Sequence, residues 1–250
     1  MKQKTLIILL FISYQFLLYP QQGRKTIDMD LNWKFSRGTH KEAIDLNFDD
    51  SAWQIVDVPH DWSIKGRYNR SNPTGRGGGY LPSGDSWYRK SFTMPISDKD
   101  KTILVEFDGV MANCEVYING ELLGIWPYGY TTFQYDLSEH ILFGDDQTNT
   151  LTVRANTMEQ PASRWYTGAG IYRHVRMIVK EPIHVSHWGQ FVTTPSVSKS
   201  KAAIKNEIEI NNKTKKNARL TIQSTIIDSD GRNVKTSSSK LRLEPNSSEK

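Results

Sequence analysis

Hydrophobic and polar residues alternate with a period of two over much of this chain, which is the pattern of half-buried β-strands. Strands are predicted at residues 102–107, from a largely apolar middle, and at residues 114–118, 151–155 and 175–179, from this alternation. Asn119-Gly120 follows the second of these and favours a two-residue hairpin turn. No stretch of ten or more residues shows helical periodicity. Many short strands separated by Gly, Pro and Asn indicate an all-β fold, most simply a jelly-roll β-sandwich.

A second group of strands begins after Glu181-Pro182. The strands predicted here are at residues 183–193, 203–210, 218–228 and 241–243. Polar turns such as Asp230-Gly231 separate them. The sequence therefore predicts two β units, with residues 23–182 in the first and residues 183–250 in the second.

Residues 1–22 have the composition of a secretory signal peptide. Lys2 and Lys4 precede a mostly apolar run at residues 6–19, which Ser13 and Gln15 interrupt. This run is too short and too polar to span a membrane. We therefore expect an exported protein, periplasmic or extracellular, with no membrane span.

The remaining composition excludes several classes of protein. The net charge of +5 comes largely from lysines scattered through the last third of the chain, without a nucleic-acid-binding motif. Cys114 is the only cysteine, so no internal disulfide is possible. Its position in an alternating strand predicts a buried structural thiol. We expect no cofactor and no nucleic-acid partner.

Residues 67–82 are glycine-rich and show neither strand nor helix pattern. Loops of this length are uncommon in compact domains and are usually functional or disordered. No Gly-Lys-Ser/Thr follows the glycines, so a phosphate-binding loop is excluded. A functional loop that reaches toward a neighbouring domain and a flexible surface loop are both compatible with the sequence.

The segment at residues 163–175 contains two arginines, three large aromatic residues and two glycines. Arg164, Trp165 and Tyr166 offer planar faces and fixed hydrogen-bond donors, which suit flat or hydroxyl-rich ligands. Gly168 and Gly170 permit a sharp turn or a close approach of the backbone. The alternative is a well-packed aromatic corner in which the arginine binds nearby carbonyl groups.

This segment resembles the end of the N-terminal sugar-binding domain of glycoside hydrolase family 2. The family's other motifs occur in the expected order at residues 33–35, 48–53, 58–62, 87–92, 107–110, 116–120 and 129–133. The resemblance covers residues 27–182 and is strongest to β-galactosidase-like members. It implies a sugar-binding jelly roll at residues 23–182, followed by an immunoglobulin-like domain at residues 183–250. That second domain is expected to be incomplete, because such a sandwich needs about seven strands and about 100 residues.

In the family, two glutamates of an (α/β)-barrel third domain cleave the glycosidic bond. Retaining glycosidases need two such carboxyl groups about 5 Å apart. This chain has no alternation of strands and helices, so we assign no catalytic residue and expect the chain alone to be inactive. The missing barrel of the same parent protein is then its partner. Ser163 and Arg164 stand where an acidic metal ligand would be needed, so we predict no metal.

The resemblance implies a role in shaping the rim of the substrate pocket, with a β-glycoside as ligand. The candidate substrate-binding residues are His60, Asp61, Trp62, Arg164, Trp165 and Tyr166. Asp61 is the first candidate, because a carboxylate accepts hydrogen bonds from sugar hydroxyls. Alternatively, Asp61 caps a turn, Arg164 fixes its loop, and the tryptophans belong to the core.

Two other classes of function remain open at this point. One is a self-standing carbohydrate-binding module that uses the same jelly roll without catalysis. The other is a structural adhesion protein whose two domains bind protein rather than glycan.

Overall fold

The computed structural model of the chain describes residues 23–159 and 165–250, and their regular structure is almost entirely β-strand. The strands are β1 (Arg24–Asp28), β2 (Trp33–Arg37), β3 (Gln54–Val56), β4 (Asp85–Met94), β5 (Thr102–Phe107), β6 (Cys114–Ile118), β7 (Glu121–Trp126), β8 (Phe133–Asp136), β9 (Gly144–Asn156), β10 (Val175–Lys180), β11 (Ile183–Val197), β12 (Ala202–Asn212), β13 (Ala218–Ile227), β14 (Asn233–Leu243) and β15 (Ser247–Glu249). Two 3₁₀ turns lie at Lys41–Ile44 and Ile96–Asp98. The all-β prediction is confirmed. The predicted signal peptide, residues 1–22, lies outside the described residues.

The first ten strands form two antiparallel sheets, in the orders β1-β10-β5-β8 and β3-β2-β4-β9-β6-β7. Four of the strand pairs are nested along the chain: β1 with β10, β4 with β9, β5 with β8, and β6 with β7. Nested pairs wrapped across two facing sheets define a jelly roll, so this prediction is also confirmed. Strands β2 and β3 extend one edge of the larger sheet.

The alternation that predicted the strands is also what builds the core. In β6, Cys114, Val116 and Ile118 are completely buried, and the residues between them are half-buried. The Cys114 thiol is buried, as predicted, and burial raises its pKa to about 12. Asn119 and Gly120 both have positive φ, of 50° and 88°, as the predicted hairpin turn requires.

Strand β4 shows no such alternation in the sequence, because its first five residues are all buried. Its polar side chains are paired instead. Arg89 Nε lies 2.8 Å from Asp50 Oδ2, and Arg154 Nη2 lies 3.0 Å from Asp85 Oδ1. Buried charges that are paired in this way remain compatible with a strand in the middle of a sheet.

Residues 183–250 form a second pair of sheets, in the orders β11-β12-β15 and β13-β14. Their common core is small and centres on Ile210, Ala218 and Leu243. Strand β14 extends well beyond the predicted residues 241–243. The prediction missed the other residues, because the exposed serines and lysines follow no hydrophobic pattern. The division at residues 182/183 and the immunoglobulin-like assignment stay predictions.

The glycine-rich stretch is irregular, as predicted, and no strand or helix interrupts residues 57–84. It is nevertheless held by its own hydrogen bonds. Asn72 Nδ2 donates to the Tyr80 carbonyl at 2.7 Å, and Thr74 Oγ1 donates to the Leu81 carbonyl at 2.6 Å. The loop therefore closes on itself before β4 begins.

Candidate functional site

The two segments that carry most of the predicted site residues lie side by side. The backbone N–H of His60 donates to the Ile171 carbonyl at 2.7 Å, and the N–H of Trp62 donates to the Ala169 carbonyl at 3.2 Å. These two bonds run on either side of Asp61. Residues separated by more than 100 positions in the sequence are thereby brought to one corner of the jelly roll.

Gly170 allows this close approach. Its φ is +105°, and a Cβ at this position would lie 2.1 Å from Tyr88 Oη and 3.0 Å from the His60 carbonyl oxygen. No other residue fits there without displacing the fully buried Tyr88. The glycine also pairs through its N–H and carbonyl with Met111, which fixes the segment from its other side.

Asp61 is the centre of the corner. The Tyr166 hydroxyl lies 2.6 Å from its Oδ1 and 2.7 Å from its Oδ2. Oδ1 also accepts the backbone N–H groups of Ala169, at 3.1 Å, and Ser63, at 3.0 Å. Burial, and secondarily the hydrogen bond to Asp61, raise the pKa of Tyr166, so this hydroxyl stays a donor. The half-buried carboxylate is held in one orientation, and its Oδ2 accepts the fewer bonds.

His60 lies beneath Asp61 and is almost fully buried. Its Nδ1 is 3.0 Å from the Tyr88 hydroxyl, and its ring packs edge-on against Phe35 at 4.6 Å. Burial lowers the pKa of His60, and Lys65 adds to this effect. The neutral imidazole thus helps to fix the buried residues that support Asp61.

Trp62 is only 4% exposed and belongs to the jelly-roll core. The Arg37 guanidinium lies 4.1 Å from the centroid of its ring, which is a cation–π contact. In this chain the ring is therefore covered. A direct contact of Trp62 with substrate stays a prediction.

Trp165 is placed differently, since 60% of its surface is exposed. Its Nε1 donates to the Tyr130 hydroxyl at 3.4 Å, and the Tyr130 ring meets that of Tyr128 at 5.6 Å. We call Tyr128, Tyr130 and Trp165 the aromatic group. Trp165 directly precedes Tyr166, whose hydroxyl binds the Asp61 carboxylate, so the aromatic group is linked to Asp61 through this one residue.

Sequence reasoning did not select the two tyrosines of the aromatic group. Gly129 between them offered a signal, because a Cβ there would lie 2.6 Å from the Met111 side chain. The Gly129 carbonyl also accepts the Tyr172 hydroxyl at 2.8 Å. Gly129 is thus fixed by its contacts and lies between two exposed aromatic residues. This segment therefore presents an ordered surface rather than a loose loop.

Arg164 and Ser163 lie outside the described residues, so their predicted roles stay predictions. Within residues 23–159 and 165–250, no group of three histidine, cysteine or acidic side chains is arranged to hold a metal ion. Nor does any described helix have the length and apolar character needed to cross a membrane.

Comparison with known proteins identifies the family. The model of the glycosyl hydrolases family 2 sugar-binding domain matches residues 26–182. The chain therefore belongs to glycoside hydrolase family 2.

Individual relatives agree with this assignment. A β-galactosidase of Bacteroides ovatus is 43% identical over 211 residues, which cover 84% of this chain and 25% of that protein. A putative β-glucuronidase of Formosa agariphila is 33% identical over 241 residues, or 96% of this chain and 23% of that protein. A solved family 2 member from Bacteroides cellulosilyticus superposes with a TM-score of 0.84 at 32% identity, over 90% of this chain and 29% of that one. The chain thus spans about a quarter of the length of these relatives.

Proposed function

We propose that this chain is the N-terminal, sugar-contacting part of an exported, β-galactosidase-like glycoside hydrolase. In this proposal the catalytic glutamates belong to a barrel outside the present sequence. The relatives' names support a β-galactoside or β-glucuronide as substrate. The chain's own part is to bind one sugar unit and shape the rim of the active site.

The observation that carries this proposal is the pairing of a fixed carboxylate with an exposed aromatic surface. Asp61 is oriented by the Tyr166 hydroxyl and by backbone N–H groups, so its carboxylate can accept a sugar hydroxyl without reorganising. Trp165, the residue that precedes Tyr166, presents its ring to solvent. Pyranose rings have apolar faces that stack on such aromatic rings, while their hydroxyls bind carboxylates.

Tyr166 has a positioning role in this arrangement. The single proton of its hydroxyl is shared between the two oxygens of Asp61, so Tyr166 fixes the plane of the carboxylate. His60 supports the same corner from below through Tyr88. Both residues are expected to affect affinity through the geometry of Asp61.

Binding of methyl β-galactoside and methyl β-glucuronide to the 250-residue chain, followed by NMR titration, tests the proposal. We expect weak binding that Trp165→Ala reduces about tenfold, since aromatic anchors dominate small interfaces. Asp61→Asn is expected to weaken binding similarly, and Tyr166→Phe by a smaller factor. The matched control is Phe191→Ala, which removes an equally exposed aromatic from the second unit.

Two results would contradict the proposal. One is unchanged affinity in both Trp165→Ala and Asp61→Asn. The other is hydrolysis of nitrophenyl β-galactoside by the chain alone, above the blank and lost when an acidic pair is replaced. Sugar binding by a gene product that has no downstream barrel would instead favour the self-standing carbohydrate-binding module.

A further inference from the structure

A polar cleft of about 460 Å³ lies between the outer face of the β1-β10-β5-β8 sheet and a bulge in β11. The bulge comprises residues 186–189. Val185 is opposite Ile210 and Gln190 is opposite Ile208, so four residues of β11 face only Glu209 of β12. These extra residues leave the ladder and lean over the jelly roll.

The bulge has a constrained shape. Trp188 has a φ of 52°, a left-handed conformation that is rare for a bulky residue. A Cβ on Gly189 would lie 2.7 Å from Ser186 Cβ and 2.9 Å from the Glu209 carbonyl oxygen, so only glycine fits there. Strained backbone of this kind is concentrated at binding and catalytic sites.

The result of this strain is an exposed indole above the cleft. Trp188 is 75% exposed, and its ring packs against the His187 ring at 4.1 Å, which fixes its orientation. The opposite face of the indole is free of ring contacts among the described residues. A fixed aromatic face over a polar floor is a common arrangement for binding sugar rings.

Two polar atoms of the bulge are buried without a hydrogen-bond partner. They are Ser186 Oγ, on a residue only 8% exposed, and His187 Nε2. His187 Nε2 is 3.6 Å from Glu106 Oε2, which is beyond hydrogen-bonding distance. Both residues line the cleft. Since buried polar atoms are nearly always satisfied, these two mark a place where a bound water or a polar ligand supplies the missing hydrogen bonds.

The charges of the cleft define the class of ligand. Its floor carries Arg24, Arg176, Glu106 and Asp108, so two positive and two negative side chains cancel. Arg176 donates to Asp108 at 2.9 and 2.7 Å and to Glu106 at 3.3 Å, and its bonds to Asp108 hold the pKa of that carboxyl below its ordinary value. A balanced set of donors and acceptors suits hydroxyl groups, which both donate and accept, rather than an ion.

We infer that the cleft beneath Trp188 binds a neutral saccharide, with the sugar ring on the indole, hydroxyls on the Arg176–Asp108 pair and, after side-chain rotation, on Ser186 and His187. These residues are separate from Asp61 and the aromatic group. The two sites can therefore be tested, and can fail, independently.

The experiment is a calorimetric titration of the 250-residue chain with lactose and cellobiose, both in the unaltered chain and in Trp165→Ala. Trp165→Ala weakens binding at the proposed rim site, so the cleft contributes most of the binding that remains. We expect Trp188→Ala in this background to weaken the remaining binding at least about tenfold, and Trp188→Phe to restore most of it. Ser186→Ala is expected to weaken it about threefold.

Tyr68→Ala, which removes an exposed aromatic from the glycine-rich loop, is the matched control and should change nothing. Circular dichroism verifies that each variant is folded. Glucuronate and glucosamine should bind more weakly than the neutral disaccharides. The inference is overturned if neither disaccharide binds in the Trp165→Ala background, if Trp188→Ala leaves affinity unchanged, or if a charged sugar binds better.

Discussion

The two β units of this chain differ most in how deeply they bury their side chains. The jelly roll encloses Trp33, Tyr88 and Phe107 completely within one continuous core. The second unit has three buried core residues, and an open cleft of about 1030 Å³ reaches between its strands. Since a close-packed interior holds side chains in single conformations, the first unit is the better frame for fixing a carboxylate such as Asp61.

The largest effect that tests this comparison is expected from two glycines. In Gly170→Ala the new methyl group would meet Tyr88 and His60 inside the jelly roll, and we expect a loss of about 3–4 kcal/mol of stability. Gly231, in the second unit, also has a positive φ, of +80°, but nothing lies within 4 Å of an added Cβ. Gly231→Ala should therefore cost only about 1 kcal/mol, the backbone contribution alone.

Urea unfolding of the two variants measures the difference directly. Equal losses of stability in Gly170→Ala and Gly231→Ala would mean that the close packing around Gly170 does not add to the cost of the substitution. The jelly roll would then be no more tightly packed around Gly170 than the second unit is around Gly231.

The next largest effect concerns two leucines. Leu151 is completely buried in β9, and Leu151→Ala should lower the free energy of unfolding by about 3 kcal/mol through the cavity it leaves. Leu220 in β13 is half-buried at the edge of the small core, and Leu220→Ala should cost about 1 kcal/mol. Thermal unfolding followed by calorimetry verifies both values. A Leu220→Ala variant as unstable as Leu151→Ala would show that the second unit is packed more tightly than its open cleft implies.

The smallest effect is a pH dependence. Burial lowers the pKa of His60 in the jelly roll below its ordinary value of 6.5, so the unfolded chain takes up a proton more readily than the folded one. The stability that the neutral His60 contributes is present above pH 6.5 and is lost as the pH falls through the lower, folded-state pKa. His60→Gln should therefore make stability depend less steeply on pH between about pH 7 and pH 5.

His184, at the start of the second unit, also has its pKa lowered by burial. His184→Gln is thus the matched variant, and it should flatten the same pH range. Urea unfolding at several pH values measures how stability depends on pH in the unaltered chain and in each variant. An unchanged slope in His60→Gln would show that this imidazole is not kept neutral by the fold.

The sequence was most informative where one face of a strand is buried. Residues 114–118 alternate, and β6 has these same bounds, while β5 matches the prediction made from the largely apolar middle of residues 102–107. Strand β4 was not predicted from the hydrophobic pattern, because pairs such as Arg89–Asp50 allow polar residues to be buried. Most of β14 was missed for the opposite reason, since its exposed serines give no periodic signal.

For the candidate site, motifs identified the residues but not their contacts. His60, Asp61 and Tyr166 were selected from two distant segments, and their hydrogen bonds emerge only when the sheets assemble. The chemistry of Trp62 could not be read from sequence, because its cover, Arg37, is 25 positions away. The bulge at residues 186–189 was not predicted, although Gly189 inside the predicted strand 183–193 is a residue that often marks a bulge.

The bond between Tyr166 and Asp61 joins residues that are 105 positions apart, and β1 pairs with β10. Contacts this distant in sequence form late, because much of the chain must be ordered before they are made. During synthesis, the bond between Tyr166 and Asp61 therefore cannot form until the segment around Tyr166 has left the ribosome. The position of the Asp61 carboxylate therefore depends on closure of the whole jelly roll.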